Sequence, residues 1–135
     1  QRRQSDPEAG PVSSSVDALA HDGRSRLWIG TNDAGLEVLD LRTTSPLDED
    51  SILESVEKTG RLVVIDEANP RCSMATDISA LVAQKAFGAL KAPIEMVTAP
   101  HTPVPFSDSL EDLYIPDAAK IENAVLKLIE WSKRS

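Results

Sequence analysis

The run Leu62-Val63-Val64-Ile65 constrains this chain most. Four consecutive apolar residues, three of them β-branched, stand between Gly60-Arg61 and Asp66. An apolar run this short, with no polar alternation, reads as a strand buried on both faces. Such a strand needs a covering layer on each side. That requirement points to an α/β domain with helices on both faces of one sheet.

The neighbouring segments carry matching signals. Leu36 to Leu41 is a short, mostly apolar strand. Ser45-Pro46-Leu47-Asp48 reads as a helix start, with Ser45 as the cap and Pro46 in the first turn. Asp48, Glu49 and Asp50 place negative charge at the positive end of the helix dipole. Ile52, Leu53 and Val56 give that helix an apolar face, and Gly60 is its stop. Met74 to Leu90 reads as a second helix, with Met74, Ile78, Leu81, Val82 and Leu90 on one side. Pro93 ends it, and Ile94 to Val97 is the next strand. Pro100, Pro103 and Pro105 keep the following stretch extended. Leu110 to Tyr114 fits a helical turn. Asp117 caps a last helix whose stripe is Ile121, Val125, Leu128, Ile129 and Trp131. Strand and helix alternate throughout, so the expected architecture is a three-layer sandwich around a mostly parallel sheet with right-handed crossovers.

The first 35 residues stand apart from this scheme. Gln1 to Ser15 is polar and rich in Ser, Pro and Arg, so it is expected to be largely disordered. Arg26 to Thr31 fits a strand, and Asn32-Asp33-Ala34-Gly35 a turn. The expected division is an atypical N-terminal segment over 1–35 and the α/β domain over 36–135.

Charge narrows the function classes. Asp and Glu number 22 against 14 Lys and Arg, a net charge of −8. Such a surface repels nucleic-acid backbones and anionic membranes. No apolar run approaches the roughly 18 residues of a membrane span. A single cysteine, Cys72, fits a reducing cytoplasm and cannot form an internal disulfide.

Catalytic chemistry is sparse. Gly30 to Gly35 lacks the Lys-Ser/Thr that a phosphate loop requires, so it reads as a turn. No paired histidines and no Cys-x-x-Cys exist to hold zinc. Cys72 precedes a helix start beside Arg71, features that activate a thiol. A nucleophilic thiol also needs a base, and the histidines are His21 and His101. Cys72 therefore reads first as a loop or interface residue. His101 follows a strand, where α/β sheets place ligands, but one isolated histidine reads first as a surface residue. Asp66-Glu67 closes the best strand, and capping or ion pairing is the favoured role over acid–base work. No catalytic, cofactor-binding or metal-binding residue is assigned.

Longer stretches carry a resemblance. Glu37-Val38-Leu39-Asp40-Leu41-Arg42-Thr43-Thr44-Ser45-Pro46-Leu47-Asp48 is one. Thr59-Gly60-Arg61-Leu62-Val63-Val64-Ile65-Asp66-Glu67-Ala68 is another, followed by Ala92-Pro93-Ile94 and Thr102-Pro103-Val104-Pro105-Phe106-Ser107. In this order and spacing, they resemble the β subunit of the thiamine-diphosphate-dependent 2-oxoacid dehydrogenases, in its transketolase-C-like C-terminal domain. Val97 to Ser107, with Leu110-Glu111-Asp112-Leu113-Tyr114-Ile115-Pro116, looks most like the acetoin dehydrogenase branch.

The resemblance implies an assembly and docking domain that is catalytically inert alone. Thiamine diphosphate and Mg²⁺ would be held by parts of the enzyme outside this chain. The implied partners are an α subunit, a second β subunit and a lipoyl acyltransferase, with self-association of the isolated chain. In pyruvate-type relatives, acidic residues near the helix end before the Ala-Pro pair are expected to meet a basic binding domain. Here Lys91 takes that place, with Glu95 nearby and Glu111-Asp112 as further acidic groups. Lys91 and Glu95 are thus the docking candidates, and weak, salt-sensitive docking is expected. The family's first strand and the helix after it are not evident in residues 1–35. Asp22 to Thr31 looks weakly like part of a β-propeller repeat. The alternative reading is therefore a stand-alone α/β protein-interaction module with a sensor-like N-terminal extension.

Overall fold

The computed structural model describes residues 26–30 and 36–134. The expected disorder of Gln1–Ser15 and the expected turn at Asn32–Gly35 lie outside the described residues. In chain order the elements are β1 (Arg26–Gly30), β2 (Leu36–Asp40), α1 (Glu49–Thr59), β3 (Val63–Asp66) and α2 (Met74–Lys85). A 3-10 turn over Phe87–Ala89 follows, then β4 (Glu95–Thr98), α3 (Asp108–Tyr114) and α4 (Ala118–Arg134).

The sheet order is β2-β1-β3-β4. β3 and β4 pair in parallel, with Val63 opposite Glu95 and Ile65 opposite Val97. β1 is antiparallel to both β2 and β3. β2, β3 and β4 therefore point the same way, and β1 is the one reversed strand. The boundary expected between residues 35 and 36 falls between two paired strands: Gly30 lies opposite Leu36 and Arg26 opposite Asp40.

β3 explains the layering. Successive side chains on a strand point to opposite faces. Leu62 and Val64 join Ile52 and Val56 of α1 and Ala75, Ile78 and Val82 of α2. Val63 and Ile65 join Val97 of β4 and Ile121, Ala124, Val125 and Leu128 of α4. Two cores thus meet at one strand, and every β3 residue is buried. Fully burying a Val, Leu or Ile contributes about 1.5–3 kcal/mol, which makes this strand the energetic centre of the domain.

The helix ends follow local chemistry. α1 is capped by Asp48, not by Ser45. Thr44 and Leu47 form a β-bridge, so the backbone at Leu47 is not yet helical. Asp48 Oδ1 accepts the Ser51 N–H at 3.1 Å and its Oδ2 accepts the Ser51 hydroxyl at 2.7 Å. These bonds hold the Asp48 carboxyl below its ordinary pKa, the hydroxyl bond most. Gly60 ends α1 with φ +75°, and its N–H reaches the Val56 carbonyl at 2.7 Å. α2 stops at Lys85, short of the expected Leu90. The backbone leaves the helix at Ala86 and closes the 3-10 turn instead, which leaves Phe87 exposed. α4 starts where expected: Asp117 Oδ1 accepts the Lys120 N–H at 2.7 Å. Trp131, at the edge of its stripe, is about half exposed at 48%.

Candidate functional site

Asp66 closes β3 and is buried. Its Oδ1 accepts the Ala68 N–H at 3.0 Å and its Oδ2 accepts the Ala75 N–H at 3.2 Å. Both oxygens are thus engaged by backbone, and one of them satisfies a donor in the first turn of α2. Asp66 fastens a helix to the end of a strand. The capping role is the one the geometry supports, and Glu67 beside it is exposed.

Cys72 is a free, exposed thiol just before Ser73, the N-cap of α2, with φ +51°. His101 is exposed in the loop after β4. Among the described residues no hydrogen bond joins the two. Nor do the described residues contain a group of three His, Cys, Asp or Glu able to hold a metal. His21 lies outside the described residues.

The two docking candidates have different surroundings. The Lys91 N–H donates to the Gly60 carbonyl at 2.8 Å. Its aliphatic stem lies across Gly60, so close that a Cβ at residue 60 would sit 2.7 Å from Lys91 Cδ. Lys91 is therefore posted at the carboxyl end of α1, where the helix dipole favours a cation. Glu95, in β4, is held by Lys127 of α4 at 2.6 Å. Glu111 and Asp112 lie on α3, both exposed.

The feature that sequence reasoning passed over is a stretch of outward-facing apolar side chains. Val104, Phe106, Leu110 and Leu113 are 70%, 102%, 55% and 73% exposed. All four come from the proline-containing strap after β4 and from α3. Composition marks these residues as apolar but carries no sign of which way they face. The one sequence cue was their setting: residues 100–117 contain no Lys or Arg.

The strap is held at both ends. Ala99 is 1% exposed and its N–H reaches the Ala68 carbonyl at 3.2 Å. Pro116 is fully buried at the other end. Between them the Tyr114 hydroxyl donates to the Thr102 carbonyl at 3.3 Å. Lys120 Nζ donates to the carbonyls of Leu113 and Ile115 at 3.1 and 2.8 Å, closing orphan acceptors at the end of α3.

Comparison with known proteins places this fold. The family model described as "Transketolase, C-terminal domain" matches residues 29–121. The β subunit of acetoin:2,6-dichlorophenolindophenol oxidoreductase from Cupriavidus necator is 70% identical over 97 residues, 72% of this chain and 29% of that protein. The Bacillus subtilis protein of the same name is 64% identical over 93 residues, 69% of this chain and 27% of that protein. The pyruvate dehydrogenase E1 component subunit beta of Rickettsia bellii is 47% identical over 92 residues, 68% of this chain and 28% of that protein. This chain therefore spans less than a third of the length of these relatives. A solved split-gene transketolase, an inactive beta4 tetramer, shares the fold with a TM-score of 0.58 at 20% identity, covering 74% of this chain and 31% of that one. The matched family region begins at Ile29, so it takes in the last two residues of β1. The chain belongs to the transketolase C-terminal domain family.

Proposed function

We propose that this chain is the C-terminal assembly and docking domain of the β subunit of an acetoin-type, or closely related 2-oxoacid, dehydrogenase. The observation that carries this reading is 70% identity over 97 residues to an acetoin oxidoreductase β subunit. In the full complex the reaction is oxidative cleavage or decarboxylation of the substrate, with the acyl group passed to lipoamide. On this reading thiamine diphosphate and Mg²⁺ are held by parts of the enzyme outside this chain. No catalytic step is assigned to the described residues, and the domain alone is catalytically inert. Its partners on this reading are an α subunit, a second β subunit and a lipoyl acyltransferase, in the cytoplasm. No described helix is long and apolar enough to cross a membrane. Lys91 stands where an acid would attract a basic acyltransferase domain, so docking to a pyruvate-type partner is weak.

A domain exchange tests the reading. The matching C-terminal region of the Cupriavidus necator β subunit is replaced by this chain and co-expressed with its α subunit. The chimera is expected to assemble and to support acetoin-dependent reduction of 2,6-dichlorophenolindophenol. A soluble chimera that neither assembles nor reduces the dye overturns the assignment. The stand-alone interaction module would then be the better account.

A further inference from the structure

The two faces of the sheet are covered unequally. The core on one face draws its helical residues from α1 and α2. The core on the other face draws them, among the described residues, from α4 alone. Neighbouring strands lie about 4.8 Å apart, so four strands span about 14 Å between their outer axes. Helices pack side by side at about 8–10 Å, so each face has room for two. α1 packs on β1 and α2 on β3, which fills the first face. α4 packs on β3 and β4, which leaves the second face open over β1 and β2.

Apolar side chains mark that open half. Leu36 of β2 packs at the margin of the α4 core, and Leu39 packs on the opposite one. Val38, two residues from Leu36, therefore faces the α4 side, and it is 45% exposed. On α4 itself, Lys127 holds Glu95 of the outer strand β4. Ile129 lies about 200° round the helix from Lys127, on the side turned toward β1 and β2, and is also at the margin of the core. Leu126, three residues from Ile129, shares that flank and is 36% exposed. Leu36, Val38, Leu126 and Ile129 thus line a trough one helix wide.

Connectivity selects the occupant. The chain enters β1 at Arg26, which lies opposite Asp40 and Ile65 at the carboxyl ends of β2 and β3. The residues before it therefore arrive at one end of the trough. In their sequence Val16, Leu19 and Ala20 recur at i, i+3 and i+4, the spacing of one helical face. Ser14-Ser15-Val16-Asp17 has the capping-box pattern, and Asp22-Gly23 is a turn signal. Seven helical residues over 15–21 would span about 10 Å, within the roughly 16 Å length of a five-residue strand. Residues 22–25 would then be the connection, and connections of about 2–6 residues are usual between a helix and a strand.

We propose that residues 15–21 close this trough as a short helix antiparallel to β1, with Val16, Leu19 and Ala20 set against Val38, Leu126 and Ile129. A helix this short is unstable alone, so its order depends on the face it covers. Its four-residue tether gives it an effective concentration on the order of millimolar, which a separate partner would have to exceed. A second copy is disfavoured further, because each copy carries a net charge of −8. The domain then completes its second helical layer from its own chain, and this face is not free for docking.

The test is amide hydrogen exchange of the full chain, read by mass spectrometry at two protein concentrations. In wild type the amides of residues 16–21 are expected to exchange at least about tenfold more slowly than in an unstructured peptide, equally at both concentrations. Val38→Asp and Leu126→Asp, one on each wall of the trough, are expected to abolish that protection. Leu113→Asp, on α3, is expected to leave it unchanged. Protection of β3 shows that each variant is folded, and the two wall positions are tested separately so that either one can fail to fold without ending the test. Wild-type amides over 16–21 that exchange at unstructured rates overturn the proposal. So does protection that survives a wall substitution in a folded protein, which would place the segment elsewhere. Protection that appears only at the higher concentration, together with a dimer in sedimentation, would give the trough to a second copy and overturn it as well.

Discussion

β3 and the strap that follows β4 are built from the same kinds of residue and used in opposite ways. Val63, Val64 and Ile65 are enclosed by two cores of the chain's own making. Val104, Phe106, Leu110 and Leu113 are held by backbone ties and face outward. The difference separates what the domain needs in order to fold from what it presents to others. Apolar content alone does not distinguish the two. What distinguishes them is whether layers exist on both sides, and β3 has α1 and α2 on one side and α4 on the other.

The largest effect is expected at the centre of that contrast. Leu62→Ala, at a fully buried site beside β3, is expected to cost about 2–5 kcal/mol in denaturant unfolding. A loss below 1 kcal/mol would show that the two-sided core is looser than its burial indicates.

Gly60→Ala comes next. The left-handed φ of +75° disfavours any Cβ, by about 1–2 kcal/mol. The Lys91 stem would also have to move aside, which a flexible side chain does at small cost. Thermal melting reads the result, and an unchanged midpoint would mean that the turn between α1 and β3 relaxes freely.

Asp117→Ala tests how firmly α4, the layer on one face of β3, is started. Loss of an exposed N-cap is expected to cost about 0.5–1 kcal/mol near neutral pH. The backbone bond from Lys120 is the main reason the Asp117 carboxyl sits below its ordinary value of 3.8. A carboxyl whose folded pKa is lowered stabilises the fold above its unfolded pKa and loses that contribution as pH falls through the folded value. The gap between wild type and variant is therefore constant near neutrality and closes in acid below about pH 4. A gap that persists in acid would separate the cap from its charge.

A smaller effect is expected at Lys91→Glu. Placing an anion at the carboxyl end of α1 is expected to cost a few tenths of a kcal/mol, up to about 1. In surface plasmon resonance against a basic acyltransferase binding domain, the same change raises the association rate, and the gain shrinks as salt is added. An unchanged rate removes Lys91 from the docking surface.

Much of the fold is legible in the residues because its signals are local. Gly60 and Asp117 each act within one helical turn, and β3 shows its double burial in four consecutive letters. Ser45 and Asp48 are both good caps, and only the Thr44–Leu47 bridge selects the second. The end of α2 is misread because Phe87 and Leu90 suit a helix as well as the turn they adopt. The place of β1 depends on pairing with residues 36–40 and 63–65, which no window over residues 26–30 contains. The candidate site divides the same way. Lys91 can be found from its motif, but the capture of Glu95 by Lys127 depends on a helix packed across β4. The outward strap depends on which layers are absent, and a sequence does not display an absent layer.

The most direct test of the contrast is equilibrium urea unfolding of Phe106→Ser/Leu113→Ser beside wild type. Surface positions that take no part in a core shift stability by no more than about 0.5 kcal/mol each. The midpoint and slope are therefore expected to match those of wild type. A loss of about 2 kcal/mol or more, the range of buried apolar truncations, would place these side chains in the domain's own core and contradict the account.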